Sequence, residues 1–243
     1  MKAITGRWTE KELDDLILES ARIADTGERI VFLSSLVLGT GYKESTLEGS
    51  PERPEELVIN LAAVDCFTFI DYVEAMRLSR SFTGFIEKLK KVRYRNARVS
   101  FEDRNHFFTD WRDSNAEFVG DVTGKAGGGH AVRVEKMLNE KEDGGNWVPG
   151  IAVVRREIDY IPSPLPDDVL ARLMTGDYAG VYSEAAGLDV SHAGIVLRDN
   201  GLIFRHASSK HRKVVDEDLR EYFSNRPGVI VLRPKLPGGM LYL

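Results

Sequence analysis

Apolar residues recur at helical spacing in the first part of the chain and as short β-branched runs in the second. Leu13, Leu16, Ile17, Ala21 and Ala24 form one face of a helix opened by the Thr9–Glu12 capping box, and Gly27 is expected to end it. A second helix is expected over 28–38, with Gly39 and Gly41 as stop signals. Residues 42–58 are polar and carry prolines, so they read as a long loop, a kind of segment often given to function. Cys66, Phe69, Ile70, Val73 and Met76 then fall on one helical face, with Asp65 as N-cap. A further amphipathic helix is expected over 82–91. The stretch 104–111, Arg-Asn-His-Phe-Phe-Thr-Asp-Trp, is aromatic without clear periodicity.

The second half changes character. Residues 151–154, 178–182, 192–197, 202–206 and 229–232 are β-branched or aromatic runs bounded by turn residues, which predicts strands. A short helix is expected over 166–174, and the glycine-rich 124–129 reads as a flexible connection, since it lacks the Lys-Ser/Thr ending of a phosphate-binding loop. Helices first and an antiparallel sheet second predict an α+β fold. No internal boundary stands out, so residues 1–243 read as a single domain with 1–40 as a helical N-terminal extension.

Composition narrows the function classes. Hydrophobic residues make up 42% of the chain, enough for a substantial core, and the net charge of −5 disfavours nucleic acid as a partner. The local basic run from Lys88 to Arg98 reads as a solvated helix face followed by a connection, the alternative being a docking surface for an anionic substrate. No run of eighteen apolar residues exists to span a membrane. No signal peptide is visible at the N-terminus, so the expectation is cytoplasmic if Met1 is native, and periplasmic or secreted if the chain is a trimmed mature form. The sequence leaves the oligomeric state open.

A single cysteine, Cys66, excludes an intramolecular disulfide. Many lone cysteines are buried hydrophobes. This one sits where a helix begins, and the positive end of the helix dipole favours thiolate. His192 and His206 lie downstream on a predicted hairpin around Asp199-Asn200-Gly201. A two-residue loop would put the two imidazoles on opposite faces. A three-residue loop with Gly201 left-handed would pair Gly194 with His206 and put both on one face. The second register is favoured, because a glycine opposite an imidazole leaves room for it. One thiol, one base and one orienting residue form the chain that thiol catalysis uses. A zinc site is disfavoured, because no histidines show i,i+4 spacing and no second cysteine exists. No cofactor is expected. His106, His130 and His211 are assigned structural roles.

Several of these stretches resemble a known family. The helix-opening Asp65-Cys66, the Gly176-Asp177 before a strand, Ser191-His-Ala-Gly-Ile-Val196 and His206-Ala-Ser-Ser209 resemble the NlpC-type cell-wall cysteine peptidases, which are papain-like in fold. Thr46-Leu-Glu48 before Leu57–Leu61, Asp65-Cys66-Phe-Thr-Phe69 and Arg104–Trp111 resemble the N-acetylmuramoyl-L-alanine amidase-like branch more closely. The resemblance runs from about residue 28 to about 235. It implies hydrolysis of the amide between the lactyl group of N-acetylmuramic acid and the first L-alanine of the stem peptide, with peptidoglycan fragments (muropeptides) as substrate. The branch's nucleophile falls on Cys66, its base on His192 and its third polar residue on His206.

The oxyanion and substrate-binding set then comprises the Cys66 backbone N–H, Tyr42, Asp65, Arg104, Asn105, Asp110, Trp111, Ser191 and Ser208. Phe107, Phe108 and Trp111 would offer sugar platforms, and Arg104, Asn105 and Asp110 planar polar groups; the alternative for Phe107 and Phe108 is a packed aromatic loop. Competing readings are an endopeptidase of the same superfamily cutting between D-glutamate and the diamino acid, a thiol acyltransferase, and a non-catalytic wall-binding module. An immunity or effector role with the same chemistry is a further possibility.

Overall fold

The computed structural model describes residues 1–236. The chain folds as two compact units, Met1–Arg104 with Arg205–Asp216, and Asn105–Phe204 with the chain from Glu217 onward. In chain order the elements are β1 (Lys2–Ile4), α1 (Glu10–Ser20), α2 (Thr26–Leu36), β2 (Gly41–Tyr42), β3 (Glu48–Ser50), β4 (Arg53–Glu56), β5 (Val58–Asn60), β6 (Ala63–Val64), α3 (Cys66–Arg77) and α4 (Phe82–Arg93). Then come α5 (Phe108–Ser114), β7 (Val119–Asp121), α6 (Thr123–Gly127), β8 (Val132–Leu138), β9 (Val154–Pro162), α7 (Asp167–Arg172) and β10 (Tyr178–Tyr182). The last are β11 (Val190–Arg198), β12 (Leu202–Ser208), β13 (Lys213–Asp218), α8 (Leu219–Phe223) and β14 (Gly228–Pro234). The composition is α+β, as the order of periodicities predicts. Among the described residues, no helix is long and apolar enough to cross a membrane.

The first unit is built around α3. Its residues from Thr68 to Arg77 are all buried, so the helix is enclosed on every side rather than on the single stripe the sequence shows. Enclosure of Asp71, Glu74 and Arg77 requires internal partners, because an unpaired buried charge costs several kcal/mol. Arg93 Nε donates to Asp71 Oδ2 at 2.7 Å, and its Nη1 donates to the Val58 carbonyl at 2.6 Å. Arg77 donates to both carboxylate oxygens of Glu74. Burial alone would pull the Arg93 guanidinium down, yet the Asp71 carboxylate together with Tyr72 and Tyr94 holds the group above its ordinary range. The Tyr72 hydroxyl accepts the Asn60 N–H at 2.8 Å. Arg93 and Tyr72 thus tie β5 to α3 and α4, which fixes the chain just before Cys66. Tyr72 also meets Phe85 edge-on at 6.1 Å.

The N-terminal helices differ from the sequence reading at their junction. Thr9 forms the predicted capping box with Glu12, but α1 ends at Ser20, well before Gly27. The Asp25 carboxylate accepts the Glu28 N–H at 2.8 Å and starts α2, so Gly27 lies in that helix's first turn. The expected loop over 42–58 contains strands. β3 and β4 form a small antiparallel pair, β5 runs parallel to β1, and β2 runs parallel to β6. These strands are two to four residues long, too short for alternation to show in sequence. Within this unit the ladder order is β6-β2-β13-β12.

In the second unit the order is β12-β11-β10-β14-β9-β8, with β7 on the other flank of β14. β10 is the central strand here, buried along its whole length, and it matches the predicted run to the residue. It pairs antiparallel with β11 (Ala179 opposite Gly194) and with β14 (Ala179 opposite Val231). Val181, Val196, Phe204, Leu219, Phe223, Val229 and Val231 form the core with Ile161 and Val169. β8 starts with apolar and charged residues in alternation, Val132-Arg-Val-Glu135, a strand pattern not singled out above, and across the β8–β9 pair Arg133 bonds Asp159 at 2.7 Å and Arg155 bonds Glu135. Only 154 of the expected strand 151–154 belongs to β9. The glycine-rich 124–129 is partly helical, and a Cβ at Gly127 would lie 2.9 Å from Ile161 and Ala131, so close packing selects glycine there.

Candidate active site

Cys66 is the first residue of α3 and is half-buried. Asp65 caps the helix reciprocally: its Oδ1 accepts the Thr68 N–H at 2.7 Å, and the Thr68 hydroxyl oxygen accepts the Asp65 N–H at 2.9 Å. The carboxylate is therefore engaged in holding the helix start, which gives Asp65 a structural role in place of the substrate contact expected of it. With the thiol in the first turn, the positive end of the helix dipole favours its ionised form.

Tyr42 belongs to the same unit and the same local structure. It lies opposite Val64 in the parallel β2–β6 pair, two residues before the thiol. Its hydroxyl donates to Glu44 Oε1 at 3.2 Å. Burial, reinforced by that bond and by the negative charges of Glu44, Cys66 and Asp65, pushes the phenol up to about 12. Tyr42 is thus a protonated donor at any ordinary working pH, electrostatically coupled to the cysteine. The Arg212 guanidinium lies over its ring, 5.5 Å from the centroid.

His206 is buried on β12 at 2% exposure. Ser208 is buried too, and its hydroxyl accepts the His211 N–H at 3.2 Å, which assigns it to closing the turn after β12. That correction follows from the turn geometry: a serine hydroxyl often bonds a nearby backbone N–H.

In the second unit His192 is half-buried on β11, opposite Val181 of β10. Its ring meets Phe204 edge-on at 6.2 Å and Tyr222 at 6.4 Å. Neighbouring Ser191 is exposed. The loop between β11 and β12 is the three-residue form, Asp199 to Gly201. Gly201 has positive φ (+155°), but the left-handed residue is Asn200 (φ +47°), a residue type that tolerates this region.

Residues not singled out from sequence anchor the approach to His192. Asp189 is buried and its Oδ2 accepts both the N–H (2.6 Å) and the hydroxyl (2.8 Å) of Thr109. Lys136 Nζ donates to the carbonyls of Ser183, Ala185 and Leu188, the latter two at 2.9 Å, and burial holds its pKa below the usual lysine range. Gly187 (φ +73°) packs so tightly that a Cβ would lie 2.3 Å from the Glu140 carbonyl oxygen. The partners are tens of residues apart in sequence, so no local pattern announces them.

The aromatic stretch serves packing. Trp111 and Phe108 are fully buried and stack at 6.2 Å, Trp111 meets Tyr178 edge-on at 5.2 Å, and Phe107 is buried. A sugar platform needs an exposed face, so the expected role of Trp111 falls, as does that of both phenylalanines. Asp110 pairs with Arg156 at 2.8 Å, and Asn105 is buried and accepts the Ser114 hydroxyl at 2.7 Å. In the first unit Arg104 pairs with buried Glu55 at 2.5 Å. Apart from the Arg104 Nε, which is buried without a partner among the described residues, these polar groups have partners inside the fold, which points Arg104, Asn105 and Asp110 to structure. Among the described residues no group of three His, Cys, Asp or Glu side chains has a metal-holding arrangement.

The chain is similar to known proteins over most of its length. The family model for AmiA-like, N-acetylmuramoyl-L-alanine amidase-like proteins matches residues 32–229. An N-acetylmuramoyl-L-alanine amidase from Bacteroides uniformis is 29% identical, with a TM-score of 0.74 over 86% of this chain and 99% of its own. A putative xylanase from Bacteroides fragilis is 27% identical, with a TM-score of 0.68 over 83% of this chain and 98% of its own. Protein LPG0564 from Legionella pneumophila shares the fold at 21% identity, with a TM-score of 0.79 over 94% of both chains. Among curated proteins no match was found. The match over residues 32–229 contains Cys66, His192 and His206 together with the strands and helices that carry them, and on it the chain belongs to the AmiA-like, N-acetylmuramoyl-L-alanine amidase-like family.

Proposed function

We propose that the protein is a cysteine-dependent amidase that hydrolyses the bond between N-acetylmuramic acid and L-alanine in peptidoglycan fragments, on a papain-like, NlpC-type architecture. The observation that carries this reading is the family match over residues 32–229, whose lone cysteine opens a reciprocally capped helix. The name of the Bacteroides uniformis relative supports the choice of bond.

In the proposed mechanism the Cys66 thiolate attacks the lactyl carbonyl carbon. The oxyanion is stabilised by the Cys66 backbone N–H, which lies at the start of α3. Tyr42 supplies the second donor after its hydroxyl leaves Glu44. His192, oriented by His206, delivers a proton to the departing L-alanine amine as the C–N bond breaks. Water, deprotonated by His192, then attacks the thioester; the C–S bond breaks and the lactyl carboxylate leaves.

Mass spectrometry of products from a panel of defined muropeptides tests the bond. The expected products are an intact stem peptide with a free L-alanine amine and a muramic acid with a free lactyl carboxylate. Release of L-alanyl-D-glutamate would instead assign the endopeptidase reaction, and transfer of the acyl group to an added amine would assign the acyltransferase.

A further inference from the structure

A basic run after His206 is unused by the chemistry above: Lys210, His211, Arg212 and Lys213. Lys213 lies opposite Gly41 where β13 pairs with β2, and the Arg212 carbonyl accepts the Tyr42 N–H at 2.9 Å. Arg212 has φ +57°, a left-handed backbone uncommon for a residue with a side chain. Its guanidinium carbon lies over the Tyr42 ring, 5.5 Å from the centroid, a cation–π contact that leaves its N–H donors open. Lys43 follows Tyr42 directly, and its N–H donates to the Val64 carbonyl at 3.0 Å.

Arg212, Lys43, Lys210 and Lys213 are all exposed, and among the described residues none of the four forms an ion pair. In a chain of net charge −5 they make a local excess of positive charge. Of the neighbouring carboxylates, Asp65 caps α3, and Glu44, the charge of opposite sign next to Lys43 in the chain, accepts the Tyr42 hydroxyl. Across β2 the chain runs from Val64 into Cys66. Tyr42 lies opposite Val64, two residues before Cys66, so the arginine over its ring stands in the thiol's neighbourhood.

We propose that Arg212, flanked by Lys43, Lys210 and Lys213, is a carboxylate-binding site beside Cys66 that takes the free carboxylates of the peptide portion of the substrate. The inference rests on the amidase reading and adds a specificity determinant to it. A forked guanidinium grips a carboxylate through two parallel N–H···O bonds, and the lysines add screened point charges.

The test compares two muropeptides of identical sugar and peptide sequence, one with free carboxylates and one with those carboxylates converted to primary amides. With the free-carboxylate substrate, Arg212→Gln should raise KM about tenfold while kcat stays within about twofold, the loss of one charge-assisted hydrogen-bond pair. With the amidated substrate the KM penalty should be several-fold smaller, and Arg212→Lys should fall between wild type and Arg212→Gln on the first substrate. Equal penalties on both substrates, or a fall in kcat alone, would overturn the site. A second measurement separates this from the amidase reading. Calorimetric binding of the free-carboxylate peptide, without sugar, to the Cys66→Ala protein should weaken about tenfold on adding Arg212→Gln. If wild type cleaves neither muropeptide but the peptide binds with this dependence on Arg212, the amidase reading fails and the site stands. Equal peptide affinity in both proteins rejects the site.

Discussion

Cys66 and Tyr42 are the residues on which the proposed chemistry turns, and each yields a prediction. Cys66→Ala removes one sulfur at a half-buried helix start whose cap is made by other residues, so it should abolish muropeptide hydrolysis and leave the thermal midpoint within a few degrees. Retained turnover in the purified variant would reject the thiol mechanism. His192→Ala should be nearly as damaging to kcat. His206→Ala should cost less activity but more stability, because its side chain is buried and its removal leaves a void. Tyr42→Phe should lower kcat by about 100-fold with little change in KM if the phenol serves the oxyanion. Its raised pKa also has a stability consequence with a definite sign. Burial favours the neutral phenol in the folded state, so that contribution is intact below the unfolded pKa of 10 and is lost as pH rises toward about 12. Urea denaturation should therefore show wild type losing ground to Tyr42→Phe between pH 10 and 12, and parallel curves across that window would refute the coupling.

At the scale of elements, the decisive feature is how α3 begins. Asp65 and Thr68 satisfy each other's backbone donors, so the register of the helix, and with it the position of the thiol, is set by two side chains. Asp65→Ala should destabilise the protein by about 1 kcal/mol, while Asp65→Asn, which keeps the accepting oxygen, should cost much less. Chemical denaturation at neutral pH distinguishes the two, and equal losses would assign Asp65 a role beyond capping. The segment 183–189 before β11 is held in a different way, through one ammonium on three carbonyls and one carboxylate on Thr109. Such anchoring is invisible to periodicity, whereas a helix cap is a local pattern, legible in the sequence at both Thr9 and Asp65.

For the molecule as a whole, each unit has its own interior, and the first encloses charged side chains among its apolar ones. Arg93 and Asp71 are both almost fully buried and carry the link between α4, α3 and β5. Asp71→Asn would leave a buried cation without its counter-charge, and should cost about 3–5 kcal/mol. Replacing the pair together by well-packed apolar residues should cost far less. A near-additive double variant, measured by urea denaturation, would show that the two do not act as a pair.

The sequence by itself determined the α+β class, the helix at Cys66 with its cap, the central strand 178–182, the three-residue hairpin loop and the family. Each is a local matter: a cap reads within four residues, a buried strand within five, and a motif within its own span. Tertiary structure decided the rest. It made strands within 42–58: Tyr42 and Val58 gain partners in β6 and β1, far off in the chain, while β3 and β4 pair with each other and are too short for alternation to show. It made a helix of 108–114 and buried Trp111, turning expected sugar platforms into core, because an aromatic residue's exposure depends on what packs over it. It engaged Arg104, Asn105 and Asp110 within the fold. It also set Arg212 upon Tyr42, a meeting of residues 170 positions apart in a backbone conformation that residue type does not predict.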